Sequence, residues 1–461
     1  MKTYQDFIAK STSEQEKESF ILEAIREHKQ SGMYSIAVDA EEYSHQRNST
    51  IMKYQKLLYT VSGKAVPDNY SANYKLCSNF FERFVTQENQ YLLGNGMTLE
   101  NQSNKDKLGA DFDQRLQIAG RDAIVQGVSF GFWNFDHMES FKLTEFVPLY
   151  DEETGALKSG IRFWQIDDNK PLRATLFELD GYTDYIKKKN GNIEVLNPKR
   201  TYKQIVSKSG VDGTQIRDGG NYPSFPIIPL WGSPLKQSAL VGMKHSIDAY
   251  DLIKSGFAND LDDASMIYWT LENAGGMDDI DLARFVERMK TVRAAVIDGD
   301  AGAKAEAHTM EVPYQSRVAY LERLENDLYN DFQALNVKSL QGGQKTATEI
   351  YAAYQPFDNK VDQYEYCVLD FLKELFKLVG IEDNPTFKRS RIVNQLEETQ
   401  MVLLASNYLD DETILKHLPW LLPEEIDEIL NRKAADDLDR LGGGDNPTDN
   451  PMEDVIDDGN A

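Results

Sequence analysis

The stretch from Ile228 to Asp263 reads IPLWGSPLKQSALVGMKHSIDAYDLIKSGFANDLDD, and its two halves obey different rules. Prolines 223, 226, 229 and 234 crowd the entrance. Each fixes φ and removes an amide donor, so no helix runs through them and the chain makes a joint. From about 237 to 263 the period becomes helical. Leu240, Met243, Ile247, Tyr250 and Phe257 recur near three-four spacing, Leu261 prolongs the stripe, and Lys254 interrupts it. The other surface carries Asp248, Asp251, Asp260, Asp262 and Asp263. A helix of this length spans about 40 Å.

A second helix, about 314 to 336, repeats the design. Val318, Leu321, Leu324, Leu328, Phe332 and Leu335 form its stripe, and Glu322, Glu325, Asp327 and Asp331 are its acids. Two readings of these carboxylates stand open: a solvated polar face, or the lining of a channel. A compact insert at 264–312 separates the two helices. After the second, the loop VKSLQGGQKTA leads into another helix from about 346 to 379, and helical patterns continue to about 437. The Gly/Asp/Asn-rich tail beyond reads as disordered.

Upstream, helical periodicity covers 13–31, 70–92 and 106–127. It then gives way to period two, with strands expected at 128–136, 142–150, 160–167, 172–179, 193–196 and 201–206. Asn190-Gly191 is a strong hairpin signal. Helices followed by an antiparallel meander make the chain α+β.

The chain has 461 residues, enough for two to four packed units, and 41% hydrophobic residues, enough for cores. Its net charge of −25 argues against gripping nucleic acid by counterion release, which needs clustered Lys and Arg. A protein that must let nucleic acid slide past is not excluded. Cys77 and Cys367 form no CxxC pair, which suits a reducing compartment. The N-terminal stretch lacks an apolar signal region, and no apolar run reaches membrane-spanning length.

Catalytic motifs are tested and set aside. GGQKTA at 342–347 places Gln344 between Gly343 and Lys345, so it is no phosphate loop. The six histidines show no HExxH spacing and no cysteine partner, so no zinc site is expected. Adjacent acids such as Asp262/Asp263 and Asp278/Asp279 read better as solvated groups than as two-metal ligands. No cofactor is expected. Trp133, Trp164 and Trp231 read as core. Lys187, Lys188, Lys189, Lys199, Arg200, Lys203 and Lys208 make a basic run on the hairpin region, read as a solvated tip or a face toward scaffold or capsid protein.

The order of segments resembles the portal proteins of long, non-contractile-tailed phages of Gram-positive hosts. AEEYSHQRNSTI at 40–51, KLCSNFFERFVTQENQYLLGNGMTL at 75–99, AIVQGVSFGFWNFD at 123–136 and the opening stretch carry the likeness. It runs over most of 15–380. QGGQKTATEIYAAY departs from the family's usual turn after the tunnel loop. The resemblance implies a non-enzymatic ring, typically a dodecamer, at one capsid vertex. It implies a wing at 1–236, stem helices at 237–263 and 313–335, an α/β clip at 264–312 and a tunnel loop at 336–346. A long helix at 347–385 returns to the wing, a helical crown occupies 386–437, and an acidic tail fills 438–461. Leu240, Met243, Ile247, Tyr250, Phe257, Leu321, Leu328 and Phe332 would pack the stem, and the stem acids would line the channel. Lys338, Gln341, Gln344 and Lys345 would touch passing double-stranded DNA. The implied partners are terminase large subunit, head-tail adaptor, scaffold and major capsid protein. The implied locations are the virion and, during assembly, the host cytoplasm. The competing readings are an acidic metal-dependent nuclease or other hydrolase, and a phage head protein that forms no ring.

Overall fold

The computed structural model describes residues 2–59, 63–68, 73–189, 191–209, 213–264, 268–272, 280, 304–308, 314–340, 347–389, 402–404, 406, 408–418, 421, 426 and 428–433. The chain divides into two units, Met1–Val337 with Ala353–Ser390, and Lys338–Ala352 with Arg391–Ala461.

The first unit opens with helices α1 (Tyr4–Lys10), α2 (Glu14–Lys29), α3 (Gly32–Ser44) and α4 (Ser49–Lys53). Thr3 and Ser13 build capping boxes with Asp6 and Glu16 at the starts of α1 and α2, so the orphan amides are satisfied where each helix begins. Strands β1 (Leu57–Tyr59) and β2 (Ala65–Pro67) pair next. The helix expected at 70–92 occupies only α5, Phe80–Leu93; residues 73–79 run without helix. A short strand β3 (Met97–Thr98), α6 (Gln102–Asp106) and α7 (Phe112–Gln126) follow.

Gly127 ends α7 at φ 92°, and a Cβ there would lie 2.8 Å from the backbone of Gln237 and Ser238. Only glycine meets both demands at the point where helix becomes strand. The sheets are antiparallel. Strands β4 (Val128–Asn134) and β5 (His137–Lys142) make a hairpin, then a 3₁₀ turn at Leu143–Glu145 breaks the strand expected over 142–150. Five strands then pair in sequence order: β6 (Phe146–Tyr150), β7 (Leu157–Trp164), β8 (Leu172–Glu178), β9 (Gly181–Lys187) and β10 (Ile193–Arg200). The period-two pattern exposes the meander but misses β9. Hairpin β11 (Lys203–Ser209) and β12 (Gly213–Gly220) follows. The proline joint also holds a strand, β13 (Ile227–Trp231), on the edge beside β4. Pro229 is tolerated there because an edge strand leaves half its amides unpaired by the sheet.

Helices α1 and α2 cover one face of the five-stranded sheet. Phe7, Phe20, Ile21 and Ile25 pack with Val147, Ile161, Leu176 and Tyr185. Behind the hairpin, Glu41 of α3 accepts from Lys142 Nζ at 2.8 Å and Gln126 Nε2 at 2.9 Å. Burial pushes the pKa of Asp122 of α7 up to about 6, against the pull of Lys142 4.0 Å away.

The chain then enters α8 (Lys244–Ala264), later than the expected 237, because 237–243 form turns. Strands β14 (Tyr268–Glu272) and β15 (Lys304–His308) pair antiparallel. Helix α9 (Tyr314–Phe332), the single turn α10 (Val337–Leu340) and the long α11 (Ala347–Val379) follow. Strand β16 (Thr386–Phe387) pairs with β3, and Arg389 holds Asp362 of α11 at 2.5 Å. The chain through Ser390 belongs with the first unit. In the second unit the described residues include α12 (Asp411–His417), capped by Asp410. Among the described residues no helix is long and apolar enough to cross a membrane.

Two outcomes test this frame. Gly127→Ala lowers stability by at least about 1–2 kcal/mol from the left-handed φ alone, with the overlap on Gln237 adding to it; chemical denaturation reads the loss. The folded state holds the Asp122 proton more tightly than the unfolded chain. This contribution to stability is therefore full below about pH 4 and is lost as pH rises through about 6. Asp122→Asn flattens the pH dependence of unfolding across that window.

Candidate functional site

The acids of α8 divide into two groups with different fates. Asp248 is 9% exposed and Asp251 is 0% exposed. Asp248 pairs with Lys244 at 2.9 Å and accepts from Thr50 Oγ1 at 2.8 Å and from the Tyr43 hydroxyl. Asp251 accepts from the Ser78 amide at 2.8 Å and from Asn48 Nδ2. Burial pushes its carboxyl above the usual range, although these donors pull the other way. Neither residue can line a channel. That expectation is corrected: both side chains are consumed inside the subunit, facing α3, α4 and the segment before α5.

The same stripe continues with smaller polar groups. Ser255 Oγ accepts from the Leu76 amide at 3.0 Å, and Asn259 Oδ1 accepts from the Tyr74 amide at 2.7 Å. Residues 251, 255 and 259 thus hold amides 78, 76 and 74. Four residues of helix advance about 6 Å, and two residues of extended chain advance about 6.6 Å. The two repeats match closely enough for three successive bonds, with strand and helix antiparallel. A segment with no sheet partner finds one in a helix face, as buried amides require.

The other face of α8 meets α9. Arg317 pairs with Asp260 and lies over the Phe257 ring. Of the expected packing residues, Leu240, Met243, Ile247, Leu328 and Phe332 are buried, whereas Tyr250, Phe257 and Leu321 are half-buried. Core packing therefore holds only the root of the pair, where Phe84 stacks on Phe332 at 5.0 Å.

Helix α5 grips that root at three points. Arg83 donates to the Tyr329 hydroxyl. Gln87 makes two bonds to the Leu335 backbone, each 3.1 Å. Glu88 pairs at 3.0 Å with Lys360 of α11, whose ammonium also caps the Phe332 carbonyl at 3.0 Å. Burial raises the Glu88 pKa and lowers that of Lys360. No sequence periodicity announces this clamp, because its members come from three distant helices.

On α9, Glu322, Asp327 and Asp331 are exposed and Glu325 is half-buried. At about 100° per residue, Glu322 lies about 140° from Asp327 and about 180° from Asp331. The four acids do not share one face. Asp262 is exposed, Asp263 has no described side chain, and Lys338 is exposed on α10. Gln341, Gln344 and Lys345 lie outside the described residues, as does most of 264–312. Lys199 of the basic run pairs with Glu178 and Asp180 at 3.0 and 2.5 Å. Among the described residues no cluster of three His, Cys, Asp or Glu could hold a metal ion.

A family model, described as phage portal protein, SPP1 Gp6-like, matches residues 35–437. The chain belongs to this family of phage portal proteins. The portal protein of Clostridium phage phiCD119 is 24% identical over 385 residues, covering 76% of this chain and 82% of its own. That of Bacillus phage SPP1 is 25% identical over 456 residues, covering 89% and 88%. Portal proteins are structural components of the phage capsid and form oligomeric rings, and the family is not an enzyme family.

The polar stripe makes an unequal prediction for three side chains. Asp251→Ala strands the Ser78 amide and costs about 2–3 kcal/mol; Ser255→Ala costs about 1 kcal/mol. Glu322→Ala changes stability by less than about 0.5 kcal/mol. Urea denaturation of the three variants reads the order directly.

Proposed function

We propose that this portal protein closes, typically as a dodecamer, around a channel for double-stranded DNA at one capsid vertex, serving packaging and ejection. The observation that carries the reading is the state of α8 and α9 beyond their root. Phe257, Leu321 and Leu324 are only half-buried, and Val318 and Leu261 are exposed. Two helices cannot enclose a core of their own, so the stripe calls for neighbouring copies. Heterologous contacts that close supply them.

The charge supports the same reading. Duplex DNA carries about one negative charge per 1.7 Å. An anionic wall offers it few adhesive minima, and a ring repeats every exposed carboxylate once per subunit. With Asp248 and Asp251 buried and Asp260 paired, the wall would fall to Glu322, with Asp262 the exposed acid among the described side chains of α8. Lys338, Gln341, Gln344 and Lys345 would make light phosphate contacts from the tunnel loop at 336–346. Terminase and the head-tail adaptor would dock on 264–312, scaffold and major capsid protein on the wing at 1–236, and the later part of 386–437 would form a crown.

Native mass spectrometry and negative-stain imaging test the ring. The expected particle is a closed multiple of 52.5 kDa with an axial hole wide enough for B-form DNA. A monomer, or a particle without that hole, overturns the reading. Glu322→Lys is expected to leave the ring intact and slow DNA passage in a packaging assay.

A further inference from the structure

Met52, Tyr54, Leu57 and Tyr74 are each 44% to 50% exposed, a concentration of bare apolar side chains at one place on the first unit. Two hydrogen bonds bring the segments that carry them together. Lys75 Nζ donates to the Met52 carbonyl at 2.7 Å, and Gln46 Nε2 donates to the Cys77 carbonyl at 3.0 Å, which binds the α4 region to the 74–77 segment. Lys53, between Met52 and Tyr54 in the chain, is exposed, and Lys75, beside Tyr74, is half-exposed. In a chain of net charge −25, a surface that is both apolar and basic is built for an acidic, apolar counterpart.

Helix α9 carries such a counterpart. Tyr320, Leu324, Asp327 and Asp331 follow i, i+4, i+7 and i+11 and so share one flank. Tyr320 is 47% exposed, Leu324 is half-buried, and both aspartates are exposed. This flank is opposite Glu322, so docking it leaves the acid assigned to the channel free.

We propose that the Met52–Tyr74 surface, with Lys53 and Lys75, docks on the Tyr320–Asp331 flank of α9 in a second copy of this chain. The inference rests on the ring reading and goes further, naming the two surfaces that meet. Because the surfaces differ, the contact is heterologous and each subunit offers one of each to its neighbours.

Charge reversal gives a test with its own rescue. One variant carries Lys53→Glu and Lys75→Glu; the other carries Asp327→Lys and Asp331→Lys. Each alone is expected to lose the ring in native mass spectrometry. Mixed, they place Glu against Lys at one interface and Lys against Asp at the next, so rings return with the variants in equal number. A ring from either variant alone, or no ring from a mixture of two folded variants, overturns the docking proposal. Should a reversed variant misfold, Tyr54→Cys with Tyr320→Cys serves instead, in a chain whose own two thiols are removed by Cys77→Ser and Cys367→Ser. A short bismaleimide is expected to give a ladder of covalent multiples from the double variant and none from the singles; no ladder overturns the proposal. A wild-type chain that stays monomeric sinks the ring reading itself, and this inference with it.

Discussion

The structure around α8 depends on a match of two repeats. Asp251, Ser255 and Asn259 stand every fourth residue on a helix, and the amides of 78, 76 and 74 stand every second residue on an extended chain. Because about 6 Å of helix meets about 6.6 Å of strand, three bonds form in register before the mismatch accumulates. That register fixes where α8 lies along the segment entering α5. Helix α5 in turn holds the root of α9 through Arg83, Gln87 and Glu88. The position of α9 is therefore inherited, through two helices, from a row of side-chain hydrogen bonds.

This dependence changes what the acids mean. A carboxylate buried against backbone amides is a structural acceptor, and removing it leaves donors that water cannot reach. A carboxylate on an exposed helix flank contributes little to stability and is free to shape the field outside. The chain uses one residue type for both tasks within a single helix: Asp251 is fully buried, while Asp262 is exposed eleven residues later. Counting acids in the sequence thus overstates the charge available to a channel wall. In the proposed ring the wall would fall mainly to α9, which is exposed on most of its circumference.

Much of the fold was legible in the residues. The antiparallel meander followed from period-two patterning, and the two long helices followed from their apolar stripes. The family followed from the order of segments. The rest was hidden for physical reasons. Asp248 and Asp251 look like solvent-facing acids in a helical pattern, because periodicity records spacing and not which polar side chains find buried amides. Residues 73–79 carry Leu76 near helical spacing, yet α8 offers three of their amides a better partner than a helix would. Strand β13 hides behind Pro229, since an edge position forgives the missing donor. The Glu88–Lys360 pair joins residues 272 apart in the chain, and neither neighbourhood signals the other.

The electrostatics of the proposed channel wall would work only at close quarters. At physiological ionic strength the Debye length is about 8 Å, so an exposed carboxylate acts on a duplex phosphate within roughly one layer of water and side chain. Charges held behind α8, such as Asp248 with its Lys244 partner, are neutralised locally and add almost nothing at that distance. The net charge of −25 is then a poor measure of the force on DNA; the number of flank carboxylates facing the axis is the better one. If one flank of α9 is covered by the next subunit, each copy contributes few acids to the wall, and symmetry supplies the multiplication. In the proposed ring a smooth, weakly repelling surface would follow from repetition of a sparse charge rather than from density within one chain.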